Sequence, residues 1–257
     1  MLTEKTFWGP VPEGFTKLTD SQGNHWVVRE DRAGEIDGPL CPGNLANREP
    51  CRYQGRGALR AIRLHNGEIA LVRSYRHGGL LRSFTGECFF TWPPRPFREL
   101  AITEELRRRG LRTVEVYAAG VRRLCGPFYR GWLVTRELRD GSDLWAALQG
   151  DWAQRAGLAA VLKAAADAVR AMHREGVYHA DLNLKNILVG AENGGVKGYV
   201  IDFDKARLFL GKLPTELADK NLRRLLRSAL KLDPERRYLT AELWEEFLDF
   251  YHGGSDG

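Results

Sequence analysis

The chain has 257 residues, of which 43% are hydrophobic and 28% charged, and its formal net charge is +6. This composition is typical of one compact domain or two small lobes, and it excludes a disordered or collagen-like chain. No apolar run reaches the ~18–20 residues that span a bilayer. The first twenty residues lack the apolar core of a secretory signal, so we expect a protein of the cytosol.

The cysteines bear on disulfides and metal sites, and the arginine content bears on the charge of the partner. The four cysteines form no Cys-x-x-Cys pair and have no histidine at a metal-ligand spacing, so we interpret them as reduced thiols. Arginine greatly outnumbers lysine, and no lysine occurs between Lys17 and Lys163. Because the guanidinium fork binds phosphate and carboxylate oxygens in pairs, this bias fits an anionic partner, although a GC-rich genome explains it equally well.

In chain order, the first half of the sequence predicts a sheet with one helix. The helix is expected at 96–109, between Pro96 near its first turn and Gly110 at its end. Asn66-Gly67 is typical of a hairpin turn. Strands are expected at residues 25–29, 59–64, 69–75, 114–119 and 131–137.

The second half is mainly helical. Helices are predicted at 157–175, 221–232 and 239–251, and two short strands at 186–189 and 198–201. The fold class is therefore α+β. The expected domains are a β-rich lobe at 51–137, a mainly helical lobe at 138–257, and an N-terminal extension of uncertain role at 1–50 that packs on the first lobe.

The segment from Tyr178 to Val189 lies between a helix and a strand, where catalytic loops commonly occur. It contains Asp181 and Asn186, and Asp202 follows after a strand pair. These residues supply one carboxylate to orient an attacking hydroxyl, and an amide and a second carboxylate to hold magnesium, as phosphoryl transfer requires. Each residue alone fits a capping or turn role, but their joint spacing favours a phosphotransferase.

These residues resemble the His-x-Asp…Asn loop and the Asp-Phe-Gly motif of the protein-kinase-like superfamily. The resemblance implies a bilobal fold that uses ATP and Mg²⁺, with Asp181 as the catalytic aspartate and Asn186 and Asp202 as metal ligands. Lys185 either stabilises the transferring charge or is a solvated loop lysine. Asp204 stands in place of the motif's glycine.

The first lobe matches the superfamily in weaker pieces. Gly55, Arg56 and Gly57 resemble the glycine-rich phosphate loop, although such a pair of glycines is more often only a turn. Arg73 stands where the family has a phosphate-binding lysine, unless it is a surface arginine on an edge strand. Residues 133–138, which include Arg136, Glu137 and Leu138, resemble the hinge that binds adenine through backbone groups in the superfamily.

Glu99 is the expected partner of Arg73. It shares a helical face with Ile102 and Leu106, and a carboxylate that faces the core needs a cation. The alternative is a favourable acid in the first turn of a helix.

A closer resemblance is to the 3-deoxy-D-manno-octulosonic acid (Kdo) kinases of the lipopolysaccharide core. It implies transfer of the γ-phosphoryl group of ATP to a hydroxyl of Kdo on a lipid A precursor, at the cytoplasmic face of a Gram-negative inner membrane. The implied partners are ATP, the anionic glycolipid and, transiently, the membrane surface, with no obligate protein partner. The resemblance is carried by residues 55–57, 72–80, 97–99, 109–111, 134–138, 179–183 and 221–225.

Other interpretations stay open. A core heptose kinase is near, and aminoglycoside or choline phosphotransferases share the catalytic loop. From another class, the missing lysine at 73 and Asp204 suggest a nucleotide-binding pseudokinase scaffold, which the retention of Asp181, Asn186 and Asp202 opposes. We expect no nucleic-acid partner, since no recognition motif is present. The basic residues at 223, 224, 227 and 231 form either a solvated helix face or a contact for acceptor phosphates and lipid headgroups.

Overall fold

The computed structural model describes residues 4–40, 59–75 and 88–253. The chain divides into two compact units, one containing Met1–Glu105 and Glu115–Glu137 and the other Leu106–Val114 and Leu138–Gly257. A sheet dominates the first unit and helices dominate the second, so the fold class is α+β, as predicted.

The first unit is built on a six-stranded sheet in which every neighbouring pair is antiparallel. The strand order is β1-β2-β5-β6-β4-β3. Its strands are β1 (Phe15–Thr19), β2 (His25–Arg29), β3 (Leu59–Arg63), β4 (Ile69–Ser74), β5 (Val116–Arg123) and β6 (Tyr129–Arg136). Two helices accompany it, α1 (Glu4–Trp8) and α2 (Arg95–Arg108).

The N-terminal residues form part of this sheet. β1 pairs with β2, and β2 pairs with β5 so that Trp26 lies opposite Gly120. A Cβ at position 120 would lie 2.5 Å from the indole ring, so only glycine allows the tryptophan to cross β5. Residues 15–29 thus supply two strands of the sheet. β1 escaped prediction because Phe15–Thr19 contains only two large apolar residues.

Both faces of the sheet are covered. Successive strand residues point to opposite faces, so Val27 belongs to one buried cluster and Val28 to the other. The first cluster includes Phe97 and Leu100 of α2, and the second includes Ile36, which follows a 3₁₀ segment. This double coverage explains why β5 is buried along most of its length.

The second unit combines helices with two small sheets. The strand order is β10-β9-β7 in one sheet and β11-β8 in the other. Its strands are β7 (Ser142–Asp143), β8 (Val177–His179), β9 (Ile187–Glu192), β10 (Gly195–Val200) and β11 (Ala206–Leu208). Its helices are α3 (Leu144–Gln149), α4 (Asp151–Ala156), α5 (Leu158–Arg174), α6 (Thr215–Leu232) and α7 (Ala241–His252).

The long helices are the best predicted elements of this unit. α5 and α7 lie within two residues of their predicted ends, whereas α6 begins at Thr215, directly after Pro214, rather than at Asn221. The helices in the described ranges include none with the length and apolarity needed to cross a membrane.

His173 joins three helices of the second unit. Its side chain lies on α5, where Nδ1 is 2.8 Å from the Tyr251 hydroxyl on α7 and Nε2 is 3.2 Å from Oδ1 of Asn221 on α6. Burial lowers the pKa of His173 from 6.5 to about 4, although the hydrogen bond to Asn221 acts in the opposite direction.

The low pKa of His173 predicts acid sensitivity of the fold. Because the unfolded chain binds a proton near pH 6.5 and the folded chain only near pH 4, the stabilisation is complete above about pH 6.5 and is lost as the pH falls towards 4. The free energy of unfolding should fall by about 3 kcal/mol across this range. Urea unfolding at several pH values measures it, and His173→Gln should flatten the profile. His252→Gln, which changes an exposed histidine, should leave it unchanged.

Candidate active site

The segment that carries Asp181 is held by a buried amide. Asn221 of α6 accepts a hydrogen bond from His179 N at 3.1 Å and donates one from Nδ2 to His179 O at 2.8 Å. Asn221 is completely buried, so both bonds are shielded from water. The end of β8 is therefore fixed by two hydrogen bonds to α6, immediately before the predicted catalytic loop begins.

The imidazole of His179 links the two segments that carry the predicted aspartates. Nε2 lies 2.9 Å from Ile201 O, and Asp181 N donates to Nδ1 at 3.2 Å. A carbonyl only accepts and an amide only donates, so this geometry requires the neutral ring with its proton on Nε2. Phe203 is fully buried and lies against the ring, with centroids 5.6 Å apart.

Two asparagines shape the loop after Asp181. Asn183 and Asn186 each donate a side-chain hydrogen bond to Asp181 O, at 2.7 and 2.8 Å, and Asn183 Oδ1 accepts from Lys185 N at 3.0 Å. The bond from Nδ2 of Asn186 turns its amide oxygen away from the Asp181 carbonyl. Ile201 N donates to Asn186 O at 3.0 Å, which brings the segment before Asp202 beside the loop.

Asp202 adopts the left-handed conformation, with φ of 70° and ψ of 60°. Aspartate tolerates this region better than most residues, yet non-glycine residues with positive φ are uncommon and recur at functional sites. The next two residues, Phe203 and Asp204, are buried in a 3₁₀ turn. The buried turn therefore fixes the direction in which the chain leaves β10.

Asp181 itself faces solvent, in contrast to its buried support. Its side chain is 51% exposed, and its Oδ1 lies 3.7 Å from Nη1 of Arg224 on α6. Arg224 is 41% exposed. An exposed ion pair of this kind contributes about 0.2–1 kcal/mol, so a third charged group can displace it at little cost.

In the first unit, Arg73 and Glu99 form an ion pair. Nη2 of Arg73 on β4 lies 2.5 Å from Oε2 of Glu99 on α2, and Glu99 is only 2% exposed. The Tyr75 hydroxyl donates to the same carboxylate oxygen, and the Arg73 guanidinium lies 4.9 Å from the Tyr75 ring centroid. The helix-face argument is thus correct for Glu99. The buried face is nevertheless formed by Leu100, Thr103 and Leu106, with Ile102 only half-buried.

The comparisons with known proteins agree with one another. The family model described as "Lipopolysaccharide kinase (Kdo/WaaP) family" matches residues 51–251. The chain belongs to this family. A 3-deoxy-D-manno-octulosonic acid kinase of Xanthomonas campestris pv. campestris (strain B100) is 34% identical over 232 residues, 87% of this chain and 88% of the relative. Another, of Pasteurella multocida (strain Pm70), is 31% identical over 189 residues, 69% and 73% of the two chains.

A solved structure supports the fold. The structure titled "WaaP in complex with acyl carrier protein" has a TM-score of 0.55 and 22% sequence identity, and the match covers 89% of this chain and 88% of that one. The Kdo/WaaP family member described here is thus a phosphotransferase with a kinase-like fold that acts on a sugar hydroxyl. It is a sugar kinase of the lipopolysaccharide core.

Several predicted site residues require separate description. Gly55, Arg56 and Gly57 lie outside the described residues. Lys185 lies in the 3₁₀ turn of the catalytic loop. At the predicted hinge, Arg136 N and Glu137 N donate to the Glu115 and Ile69 carbonyls at 2.9 and 3.2 Å. Leu138 belongs to the second unit, where Gly141 N donates to its carbonyl at 3.0 Å.

The Arg136 side chain belongs to a charged cluster that sequence reasoning missed. It lies 3.6 Å from Glu68 and 3.4 Å from Glu115, and Arg32 lies 2.6 Å from Glu68. A hydrogen bond from Asn66 lowers the pKa of Glu68, and Arg32 and Arg136 lower it further. Contacts between residues so far apart in sequence leave no local signal.

The oxygen atoms of Asn186 and Asp202 fit a hard divalent cation. Mg²⁺ is typically held by one or two protein oxygen ligands together with substrate phosphates and water, rather than by a full protein cage. In the described ranges, no group of three or more His, Cys, Asp or Glu residues has a geometry suited to a metal. The amide oxygen of Asn186 and the carboxylate of Asp202 are hard oxygen donors, the type of ligand that Mg²⁺ prefers.

In the sequence predictions, Asn221 appears only as part of the segment 221–225, which carries the family resemblance. A signal for its structural role was present, because Asn221 occupies a position on the apolar face that α6 forms with Ala218, Leu222 and Leu225. A polar side chain in such a stripe needs buried partners. Its partners are His173 and the His179 backbone, and only the folded structure identifies them.

The Arg73–Glu99 pair predicts a specific pattern of stabilities. Arg73→Met should lower the free energy of unfolding by about 3 kcal/mol, because it removes the guanidinium that pairs with the buried Glu99 carboxylate. Glu99→Gln in the same chain should restore part of the loss, and urea unfolding of the single and double variants measures the coupling. Additive effects would contradict a direct interaction. Arg98→Met, which changes an exposed arginine of α2, is the control.

Proposed function

We propose that this Kdo/WaaP family kinase transfers the γ-phosphoryl group of ATP to a hydroxyl of Kdo in a lipid A precursor. The curated relatives are Kdo kinases at 31–34% identity over most of both chains. The observation that carries the proposal furthest is the position of Asp181, a half-exposed carboxylate on a loop that is held by buried hydrogen bonds and lies beside an arginine.

Asp181 orients the acceptor hydroxyl and takes up its proton as the phosphoryl group is transferred. The carboxylate is suited to this role because His179, Asn183 and Asn186 bind the main chain of Asp181. Lys185, four residues along the loop, stabilises the transferring charge. The loop thus supplies a base on a fixed main chain and a cation from the same short segment.

Other residues of the chain bind the nucleotide. Arg73, oriented by Glu99, binds phosphate oxygens in place of a lysine, together with backbone groups of Gly55, Arg56 and Gly57. Asn186 and Asp202 hold Mg²⁺, which supplies charge neutralisation at the phosphates.

Residues 136–138 contact adenine through their backbone. The amides of Arg136 and Glu137 donate to carbonyls of the first unit, so these two amides are already engaged. Leu138 is the residue of this segment that would offer an amide. A backbone contact with adenine requires no particular side chain, which agrees with the absence of a side-chain signature in the sequence.

The acceptor is an anionic glycolipid, so the enzyme works as a peripheral protein at the cytoplasmic surface of the inner membrane. The net charge of +6 favours association with such a surface. The other sugar acceptor to be compared is core heptose, which is also phosphorylated and lipid-linked.

Transfer of radiolabel from [γ-³²P]ATP with Mg²⁺ to a Kdo-bearing lipid A precursor tests the proposal. We expect labelled lipid, and we expect Asp181→Asn to reduce the rate roughly 10²–10⁴-fold because the amide does not accept the proton. Asp249→Asn, a change at an exposed position of α7, is the matched control and should keep full activity.

The outcomes separate the alternatives. Label on a heptose-bearing acceptor alone would replace Kdo with heptose. If ATP binds but no acceptor is labelled, the pseudokinase interpretation is favoured. Unchanged turnover in Asp181→Asn would remove Asp181 from the mechanism.

Arg224 is suited to bind the carboxylate of the acid sugar. Kdo carries a carboxylate on the same ring as its hydroxyls, and Arg224 lies 3.7 Å from Asp181 in a weak, exposed pair that a substrate anion can replace. Anchoring the carboxylate at Arg224 would bring a sugar hydroxyl close to Asp181. A neutral sugar would gain nothing from this arginine, so Arg224 would contribute to acceptor choice.

This role predicts a change in acceptor affinity. Arg224→Gln should raise the KM for the Kdo acceptor about tenfold, the value of one charge-assisted hydrogen bond, with smaller changes in kcat and in the KM for ATP. Steady-state kinetics measure this, with Arg155→Gln, an exposed position on α4, as control. A fall in kcat at constant acceptor KM would instead show that Arg224 acts on Asp181.

A further inference from the structure

The loop at residues 205–213 combines apolar and basic side chains. Its sequence contains three cations, Lys205, Arg207 and Lys212, and no acidic residue. It also contains four large apolar side chains, at positions 208, 209, 210 and 213. Neither the catalytic loop nor the proposed nucleotide contacts use this segment.

The loop is anchored firmly to the second unit. Phe209 N donates to Gly176 O at 2.9 Å, and Leu213 N donates to His173 O at 2.8 Å. The Leu213 side chain is 2% exposed and packs with Tyr178. At Gly176, where φ is +71°, a Cβ would lie only 2.2 Å from a carbonyl oxygen of the loop, so the two backbones are in close contact.

This anchored loop presents two of its four large apolar side chains to solvent. Leu210 has a relative exposure of 104%, and Leu208, at the end of β11, one of 40%. A leucine that stays in water forgoes the favourable free energy of burial, and a loop with anchored ends does not fold over to recover it. Among the large apolar side chains noted as exposed in the described residues, Leu210 is the most exposed.

Two basic side chains lie over aromatic rings at this loop. The guanidinium of Arg207 lies 5.6 Å from the Phe209 ring centroid, and the ammonium of Lys220 on α6 lies 5.8 Å from the Tyr178 ring centroid. The acidic residues nearest in sequence are the buried Asp204, directly before the loop, and Glu216 and Asp219, both exposed on the first turns of α6. With Lys220, four exposed cations accompany two exposed carboxylates, so the exposed charge of this region is positive on balance.

We propose that the 205–213 loop docks the enzyme on an anionic membrane surface, where Leu208 and Leu210 enter the interface and Lys205, Arg207 and Lys212 meet lipid phosphates. This inference rests on the proposed function, because a lipid-linked acceptor requires the enzyme at the membrane. A rigid apolar tip flanked by cations suits the boundary between headgroups and acyl chains. It suits a folded acidic protein less well, because such a protein offers little apolar surface to a single protruding leucine.

The topology places this loop close to the catalytic residues. β11 pairs with β8 so that Ala206 lies opposite His179, two residues before Asp181. Leu208 lies opposite Val177, four residues before Asp181, and four residues of a strand span roughly 13 Å, so the carboxylate is set back from the docking leucines by about this distance along the strand. A sugar attached to a lipid headgroup projects from the membrane surface, so docking by this loop would bring its hydroxyl groups towards Asp181.

Vesicle binding by the full chain tests the proposal. In co-sedimentation with phosphatidylglycerol–phosphatidylethanolamine vesicles, Leu210→Ser should lower the partition coefficient about tenfold, the effect of losing one buried leucine. Leu210→Phe should bind as well as the unchanged chain. Both replace a fully exposed side chain, so equal thermal unfolding midpoints should show that the fold is unaffected.

Variants of the basic side chains provide a second test of membrane docking. Lys212→Gln should weaken binding about fivefold at low ionic strength and have little effect in high salt, the signature of lipid electrostatics. Vesicles of phosphatidylcholine alone should bind weakly. Leu124→Ser, at another leucine exposed at 38% and flanked by arginine in the first unit, is the matched control and should bind as the unchanged chain.

The binding assay contains neither ATP nor acceptor, so its result does not depend on the proposed function. If phosphoryl transfer fails but Leu210→Ser loses vesicle binding, the docking surface stands and the acceptor assignment fails. Unchanged binding by Leu210→Ser, or equal losses in the Leu210 and Leu124 serine variants, would overturn the docking role of this loop. No vesicle binding by the unchanged chain would overturn it too and would point to an acidic protein partner.

A transfer assay gives a final check. If Kdo transfer occurs, Leu210→Ser should lower the rate with a vesicle-embedded acceptor about tenfold and leave the rate with a deacylated, water-soluble acceptor unchanged. Equal losses with the two acceptors would overturn the docking role, because the loop would then act on the chemistry and not on membrane binding.

Discussion

The buried amide of Asn221 connects the helical core of the second unit to its catalytic loop. One side chain contacts His173 on α5 and both backbone groups of His179 at the end of β8. Each of these groups would cost about 1–3 kcal/mol if it were buried without a partner, so an alternative packing of α6 against β8 is strongly disfavoured. The position of the loop therefore depends on the formation of the core and not on the loop's own sequence.

The neutral imidazole of His179 extends this constraint to the second aspartate. It binds the amide of Asp181 and the carbonyl of Ile201, the residue before Asp202. Both contacts use main-chain groups, so the ring fixes the two segments through their backbones. A protonated imidazole would place a donor at Nδ1 against the Asp181 amide, which also donates. The arrangement thus requires the neutral imidazole with its proton on Nε2.

What the sequence predicts correctly is what local pattern encodes. Helices α2, α5 and α7, the hairpin at Asn66-Gly67 and the inward direction of Glu99 follow from periodicity and turn chemistry within a few residues. Local pattern does not encode the strand order, because β1 and β2 join the sheet through β5, about ninety residues further along the chain. The Arg224–Asp181 pair and the anchoring of the 205–213 loop on Gly176 are likewise non-local. Such pairings depend on which faces meet in the folded chain, and the sequence around either partner contains no motif that predicts them.

The arginine at position 73 is better understood together with Tyr75 than as a lost lysine. Residues two apart on a strand share a face, and the Tyr75 ring lies 4.9 Å from the guanidinium while its hydroxyl joins Arg73 at Glu99. A planar guanidinium stacks on a ring and keeps its charge when buried, whereas an ammonium group stacks poorly and loses its proton more readily on burial. The buried Glu99 carboxylate therefore receives a cation whose charge does not depend on pH. Since the tyrosine and the glutamate are arranged around an arginine, its presence does not indicate a site that has lost its chemistry.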